Sequence, residues 1–383
     1  MKIKLHKIYR MCLLLVACLL GFTHSWAGDY ISDDGIKYSD SEDISYTAFD
    51  KGMVVVGYDT DKFKGGHLVI PSMFNGRPVT GITGFAFFNC DKLLSVEMPN
   101  SVTRIQPEAF RQCPNLQSVV LSNSITAIDQ ATFQDCSSLQ SIEIPSKVTS
   151  IGVNAFHGCT SLKTVKLPNN LKVLESAFND CSSLQSINIP VGLEKMGTYG
   201  AFYNCSKLQS IDLPSCVSQI EPWCFYGCTN LQTVNIAGDV TVVGMNSFNG
   251  CKNLQSLKLG ALSGIDENSF KDCSSLQSPI VVQEGVTAIP AHAFDGCYSL
   301  LTVTLPNSLT SVGEYAFNDC SSMTHTEDLP SGLTSIGQYA FANCGIFPSE
   351  VNIPEGITSI EDHAFQYTSF YNGLISYLLK YFL

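Results

Sequence analysis

The stretch "AFNDCSSLQSINIP" fills residues 177–190, and its first seven letters return unchanged at 316–322. Its middle, "DCSSLQSI" at 180–187, also occurs at 135–142. Aligning the chain on the Phe-x-x-Cys pair inside this stretch gives twelve matches, from Phe87/Cys90 and Phe110/Cys113 through to Phe341/Cys344. A thirteenth phenylalanine, Phe365, has Thr368 where the cysteine should stand. Successive cysteines lie 22 to 24 residues apart throughout. A fixed period in this range marks a solenoid, built from units that each stack on their neighbours.

Each unit has the same grammar. After the cysteine comes a segment such as "SSLQSIEIP" at 137–145, whose alternating isoleucines predict a short strand with one buried face. The closing proline ends that strand because it has no N–H to donate to a ladder. Three residues later a second extended stretch follows, as in Val148–Ile151, Leu309–Val312 and Ile357–Ile360. A small residue and the phenylalanine then lead into a tight turn. One such unit cannot bury its leucine, isoleucines, valine and phenylalanine alone, whereas stacked units share one continuous core.

The order Leu-x-x-Ile-x-Ile with a fixed proline, then Ile-Gly-x-x-Ala-Phe-x-x-Cys, resembles the BspA-like leucine-rich repeat family. "IPSKVTSIGVNAFHGC" at 144–159 carries that resemblance, which extends over roughly residues 68 to 367. The fold class it implies is a β-rich solenoid of about thirteen coils of 22–24 residues. One parallel sheet would lie on one face, with short strands and turns on the other. The chain divides into a leader at 1–27, an N-terminal cap at 28–66, the solenoid at 67–367 and a C-terminal cap or tail at 368–383. "HLVIPSMFNGRPVTGI" at 67–82 fits as a first, degenerate coil. Departures from the repeat are expected to matter. The coil from Cys159 to Cys181 is one residue short and the next one long. Pro279 falls inside a strand and predicts a bulge. Polar residues in "MTHTEDLP" at 323–330 predict a weak coil, and the apolar tail at 370–383 suits a capping helix.

Metal binding requires ligands that converge on one point, whereas equivalent repeat positions place thiols in a row. Disulfides suit an exported chain, but stacked residues have parallel Cα–Cβ bonds, leaving their Cβ atoms farther apart than a relaxed bridge prefers. The repeat cysteines therefore read as buried thiols. Cys216 and Cys224 fall outside the pattern, and both extra packing and a bridge between them are open readings.

Charged residues make up only 15% of the chain and hydrophobic ones 45%, which argues against disorder. The formal charge is −12, and without residues 1–27, which hold four basic and no acidic residues, it becomes −16. Such a surface repels phosphate backbones, so nucleic acid is excluded as a partner. The basic start, the apolar run "MCLLLVACLLGF" and "SWAGD" predict an export signal cut after Ala27. An alternative is a lipoprotein box, "LVAC" at 15–18, with Cys18 lipidated; this anchor is the one membrane attachment expected. Either route places a monomeric protein outside the cytoplasm.

No catalytic constellation stands out and no cofactor is expected. His67, His157, His292, His325 and His363 lie outside the leader, none in a motif that pairs a base with a nucleophile. His325, Glu327 and Asp328 form the one mixed histidine–carboxylate group, read as a solvated strand end rather than a metal site. "YDTDKFKGG" at 58–66 lacks the later ligands of a calcium loop. What remains is a surface. In the segment "LQSIxIP" the Ser/Thr column barely changes, while the x column runs Glu97, Val120, Glu143, Lys166, Asn188, Asp212, Asn235, Lys258 and Thr304. These project from the sheet and are the candidate binding residues, a stripe roughly 40 Å long at strand spacing. The family resemblance implies a bacterial surface adhesin or host-protein binder. An extracellular protein is the expected ligand, with a glycan or a ligand-free spacer role as alternatives.

Overall fold

In the computed structural model, residues 30–43, 49–197, 199–324, 329–345 and 353–368 are described. The chain winds into a β-solenoid whose coils have three sides. The first side carries the strand that follows each cysteine. Ser141–Glu143, Thr164–Lys166 and Ser186–Ile187 pair in parallel, with Ile142 opposite Val165 and Val165 opposite Ile187. Period-two alternation decides the faces: Ile142 and Ile144 are buried, while Ser141 and Glu143 are exposed. The second side carries two-residue strands such as Ser150–Ile151 and Val173–Leu174, which form a parallel ladder of their own. The second face thus carries the expected short strands, paired into a narrow sheet of their own.

The third side is made of turns, and these too are laddered. The N–H of every spine phenylalanine from Phe87 to Phe341 donates to the carbonyl just before the next coil's phenylalanine, at 2.8–3.3 Å. This geometry needs two left-handed residues in nearly every coil, two before and two after the phenylalanine. In one coil they are Asn154 (φ 57°) and Gly158 (φ 72°), in another Asn268 and Asp272, both at 57°. Asparagine and aspartate tolerate this region better than most side chains, which explains their recurrence in the turns.

Thirteen phenylalanine rings stack along the core, with Tyr58 closing the N-terminal end of the column at 6.0 Å from Phe87. Successive centroids are 5.1–6.1 Å apart and the planes lie within 12° of parallel. All are at most 1% exposed. Offset parallel rings at this separation are mutually favourable as well as dry.

All fourteen cysteines in the described residues are free, thirteen of them buried and Cys216 exposed. Cys216 and Cys224 therefore do not pair. The buried repeat thiols have a partner that the alignment did not reveal. From Cys113 to Cys344, each repeat thiol donates to the carbonyl of the phenylalanine one coil earlier, at 3.0–3.2 Å. Thr368 is buried in the same position, but its hydroxyl donates to Phe365 of its own coil. Burial is the leading cause of a raised pKa at every one of these thiols, so they stay protonated in the fold.

The N-terminal end is closed by antiparallel strands. Tyr30–Ile31 pairs with Ile36–Asp40, which pairs with Met53–Tyr58, and this last strand joins the second side through Arg77–Ile82. Tyr38 stacks on Phe74 with centroids 4.0 Å apart, and Arg77 forms an ion pair with Asp40 that lowers the carboxyl's pKa. The expected leader cut, Cys18, the polar coil at 325–328 and the tail at 369–383 lie outside the described residues.

Irregular periods mark breaks in the sheets. Pro279 is an extra residue: four steps separate Leu276 from Ile280, against three between Leu254 and Leu257. Ser278 Oγ accepts the Leu257 N–H at 3.0 Å. Both strand ladders are interrupted at this junction, between Ser256–Leu257 and Ile280–Val281 and between Gly264–Ile265 and Ala288–Ile289, leaving an isolated bridge between Leu262 and Val282. They are also interrupted together beside the long coil from Cys181 to Cys205, between Ser186–Ile187 and Ser210–Leu213 and between Lys195–Met196 and Gln219–Ile220. The turn-side ladder crosses both junctions, through Phe178 to Ala201 and Phe248 to Ser269, and continues from Phe270 to Ala293.

Two outcomes follow from this core. Replacing Phe202 with Ala removes a fully buried ring and should cost about 3–5 kcal/mol; an unchanged denaturation midpoint would contradict a core role. The thiols predict a pH dependence. Their folded pKa values lie above the ordinary 9.0, so their contribution is complete below that value and is lost as pH rises past it. Each buried thiol then removes about 1.4 kcal/mol per pH unit. Added over the buried thiols, this loss is set against a stability of only roughly 5–15 kcal/mol for a typical domain. Melting under reducing conditions should collapse between about pH 9 and 10, while native alkylation at pH 8 modifies Cys216 first. A melting temperature flat to pH 10.5 would rule out the buried-thiol account.

Candidate binding face

All nine members of the x column that lie on the first side are exposed: Glu97, Val120, Glu143, Lys166, Asn188, Asp212, Asn235, Lys258 and Thr304. The ladders place some of them directly side by side. Glu143 is opposite Lys166, and Lys166 Nζ donates to Glu143 Oε1 at 2.6 Å. Asp212 is opposite Asn235, whose amide donates to Asp212 Oδ1 at 2.7 Å. The bulge at Pro279 puts Val281 into the same column, opposite Thr304. Beside this column run exposed Gln117, Gln140, Gln185, Gln209, Gln232 and Gln255, an amide row broken by Lys163 and by Leu94 and Leu301 in outer coils. The result is a largely polar face on which one stripe varies far more than its neighbours.

Among the described residues, no group of three His, Cys, Asp or Glu side chains is placed to hold a metal ion. His325, Glu327 and Asp328 lie outside those residues. His292 and His363 share a column but are separated by Tyr315 and Tyr339. The four rings stack at 5.0, 4.9 and 4.8 Å. His292 Nδ1 lies 2.9 Å from Asp295 Oδ2, which also accepts from Lys271 at 2.8 Å, while Asn318 donates to Oδ1 at 2.9 Å. Burial alone would raise the Asp295 carboxyl, but these hydrogen bonds outweigh it and hold its pKa below the ordinary value.

A second aromatic group lies on the turn side of the long coil and the next one. Trp223 is surrounded by Tyr226 at 5.0 Å, Tyr203 at 6.1 Å and Tyr199 at 6.4 Å, tilted 44°, 47° and 36° to it. The sequence reading looked for binding residues on the strand positions and missed both groups. Extending the Phe-x-x-Cys alignment to the residues two before and one after each phenylalanine is the signal that finds them.

Parallel ladders, a leucine and phenylalanine core and turns of fixed period define a leucine-rich repeat solenoid. The profile of the BspA type leucine rich repeat region matches residues 73–176, 172–277 and 263–377. The chain belongs to that family. A leucine-rich repeat protein from Bacteroides ovatus is 29% identical over 88% of this chain and 91% of its own, at a TM-score of 0.66. The leucine-rich repeat protein of T. pallidum is 27% identical over 58% of this chain and 89% of its own, at 0.40. A leucine rich cell surface protein from Faecalibacterium prausnitzii is 24% identical over 90% and 87%, at 0.44. No curated protein matches the chain.

Proposed function

We propose that the protein is an exported or surface-held, non-enzymatic binding scaffold whose first side recognises an extended extracellular protein. One observation carries the reading: beside rows that are mostly glutamine and mostly serine or threonine, the x column changes chemistry at almost every coil, and all of it is exposed. The glutamine and serine rows repeat the same chemistry at most steps and distinguish little between ligands. A stripe that alternates acid, base and amide at strand spacing has the information to set register with a partner. The leader-like start of the chain supports export, and repeat solenoids commonly bind through such extended surfaces.

A second reading, a spacer without a specific ligand, is favoured by the pairing within the stripe. Lys166 is already bound to Glu143, and Asn235 to Asp212, so these groups have partners without any ligand. Exposed pairs of this kind contribute only about 0–1 kcal/mol, so a ligand can displace them at little cost.

Screening the mature protein against matrix proteins, glycans and whole cells separates the two readings. With a protein ligand in hand, replacing Glu143, Lys166, Asp212 and Lys258 together with Ala should weaken binding without moving the melting temperature. Binding no stronger than that of an unrelated acidic protein would favour the spacer, and unaltered affinity in the fourfold variant would remove the first side as the site.

A further inference from the structure

We propose that the turn side carries a second binding site, centred on Trp223, for neutral saccharides. It is distinct from the strand-face stripe and does not depend on it.

Three features make the patch unlike the rest of the turn side. The first is where its rings come from. The short coil ending at Cys181 drops a residue from its turn, and Ser176 there lacks the left-handed conformation that Asn154 has one coil earlier. The next coil has one residue too many in the same turn, and Tyr199 projects from it, 57% exposed. The second is the indole of Trp223, at φ 62° in a position that Asn154, Asn246 and Asn268 occupy elsewhere. Phe85, Tyr315 and Tyr339 hold rings in the same conformation, so what sets the position apart is the indole and not the backbone. The third is what surrounds the indole. In the His292–Tyr315–Tyr339–His363 column each inner ring has its faces covered by neighbours. Trp223 instead has Gly200 as its column neighbour on one side and Asn246 on the other, so no ring stacks on it within the column.

The chemistry selects the ligand class. A sugar presents a patch of C–H groups to an aromatic face and its hydroxyls to amides. Asn179 lies one coil before Tyr203, and its Oδ1 is buried without a hydrogen-bond partner. Asn179 as a residue is only half-buried, so turning its amide outward would let this unsatisfied oxygen accept from a ligand hydroxyl. A quaternary ammonium cage fits poorly, because rings 5.0–6.4 Å apart pack on each other and leave no cation-sized space among them. Anionic ligands are opposed by the net charge of −12.

The test uses the mature chain from Gly28 onward, in which Trp223 is the one tryptophan. Neutral gluco-, manno-, xylo- and N-acetylglucosamine oligosaccharides are titrated against its emission and by calorimetry, with a proline-rich peptide in parallel. At least one saccharide class should give a saturable emission change. Trp223→Asn supplies the residue that three other coils carry, so the fold is kept, and it should weaken that saccharide by about tenfold or more. Tyr315→Asn, in the covered column, should leave affinity unchanged. No saturable binding by any saccharide, equal affinity in Trp223→Asn, or a response to the peptide alone would each overturn the proposal.

Discussion

Every side chain in this solenoid must tolerate a copy of itself, or of its column neighbour, at about the 4.8 Å separation of paired strands. That constraint selects what the interior contains. Phenylalanine meets it because offset rings gain from stacking, and the thirteen spine rings keep near-parallel planes from end to end. Cysteine meets it because a thiol is small, uncharged when buried and able to donate across the coil interface. A carboxylate or an ammonium column does not, and where charges face each other in the strands the signs alternate, as at Glu143 and Lys166.

Much of this was legible from the chain alone. The period, the strand after each cysteine, the inward set of leucines and isoleucines and the buried thiols all follow from patterns that repeat a dozen times. Repetition averages away local ambiguity, so a two-residue strand such as Ser150–Ile151 is recognisable where a single copy would not be. The thiol–carbonyl bond was not legible, since nothing in the letters distinguishes a packed cysteine from one that donates to the previous coil. Pro279 was read as a bulge within one strand, yet both ladders are interrupted there. Strands on the two sides share one coil, so an extra residue shifts the second side as well as the first.

The turn side was the least legible region because its conformation is carried by backbone dihedrals rather than hydropathy. Left-handed positions filled by Asn or Gly advertise themselves, but Trp223, Tyr315 and Tyr339 occupy the same conformation without any such signal. The continuous backbone ladder supports these residues, and it holds surface aromatics in register along one side of the array. The two faces are therefore chemically different: amides, hydroxyls and paired charges on the strands, rings and asparagines on the turns.

That difference extends to how the array can bend. At the junctions beside the long coil and at Pro279, both strand ladders are interrupted, with scattered bonds such as the Leu262–Val282 bridge remaining, while the turn-side ladder continues. A stack held continuously along one edge and by fewer bonds along the others flexes like a book about its spine. Among the described residues these are the two junctions where both strand ladders break together, so compliance is greatest there. Amide exchange faster at the strand residues flanking these junctions than at those between them would register this mechanics, and uniform protection would deny it. Trp223 sits beside the first junction, on the hinge side, where neighbouring coils keep their spacing while the strand face opens.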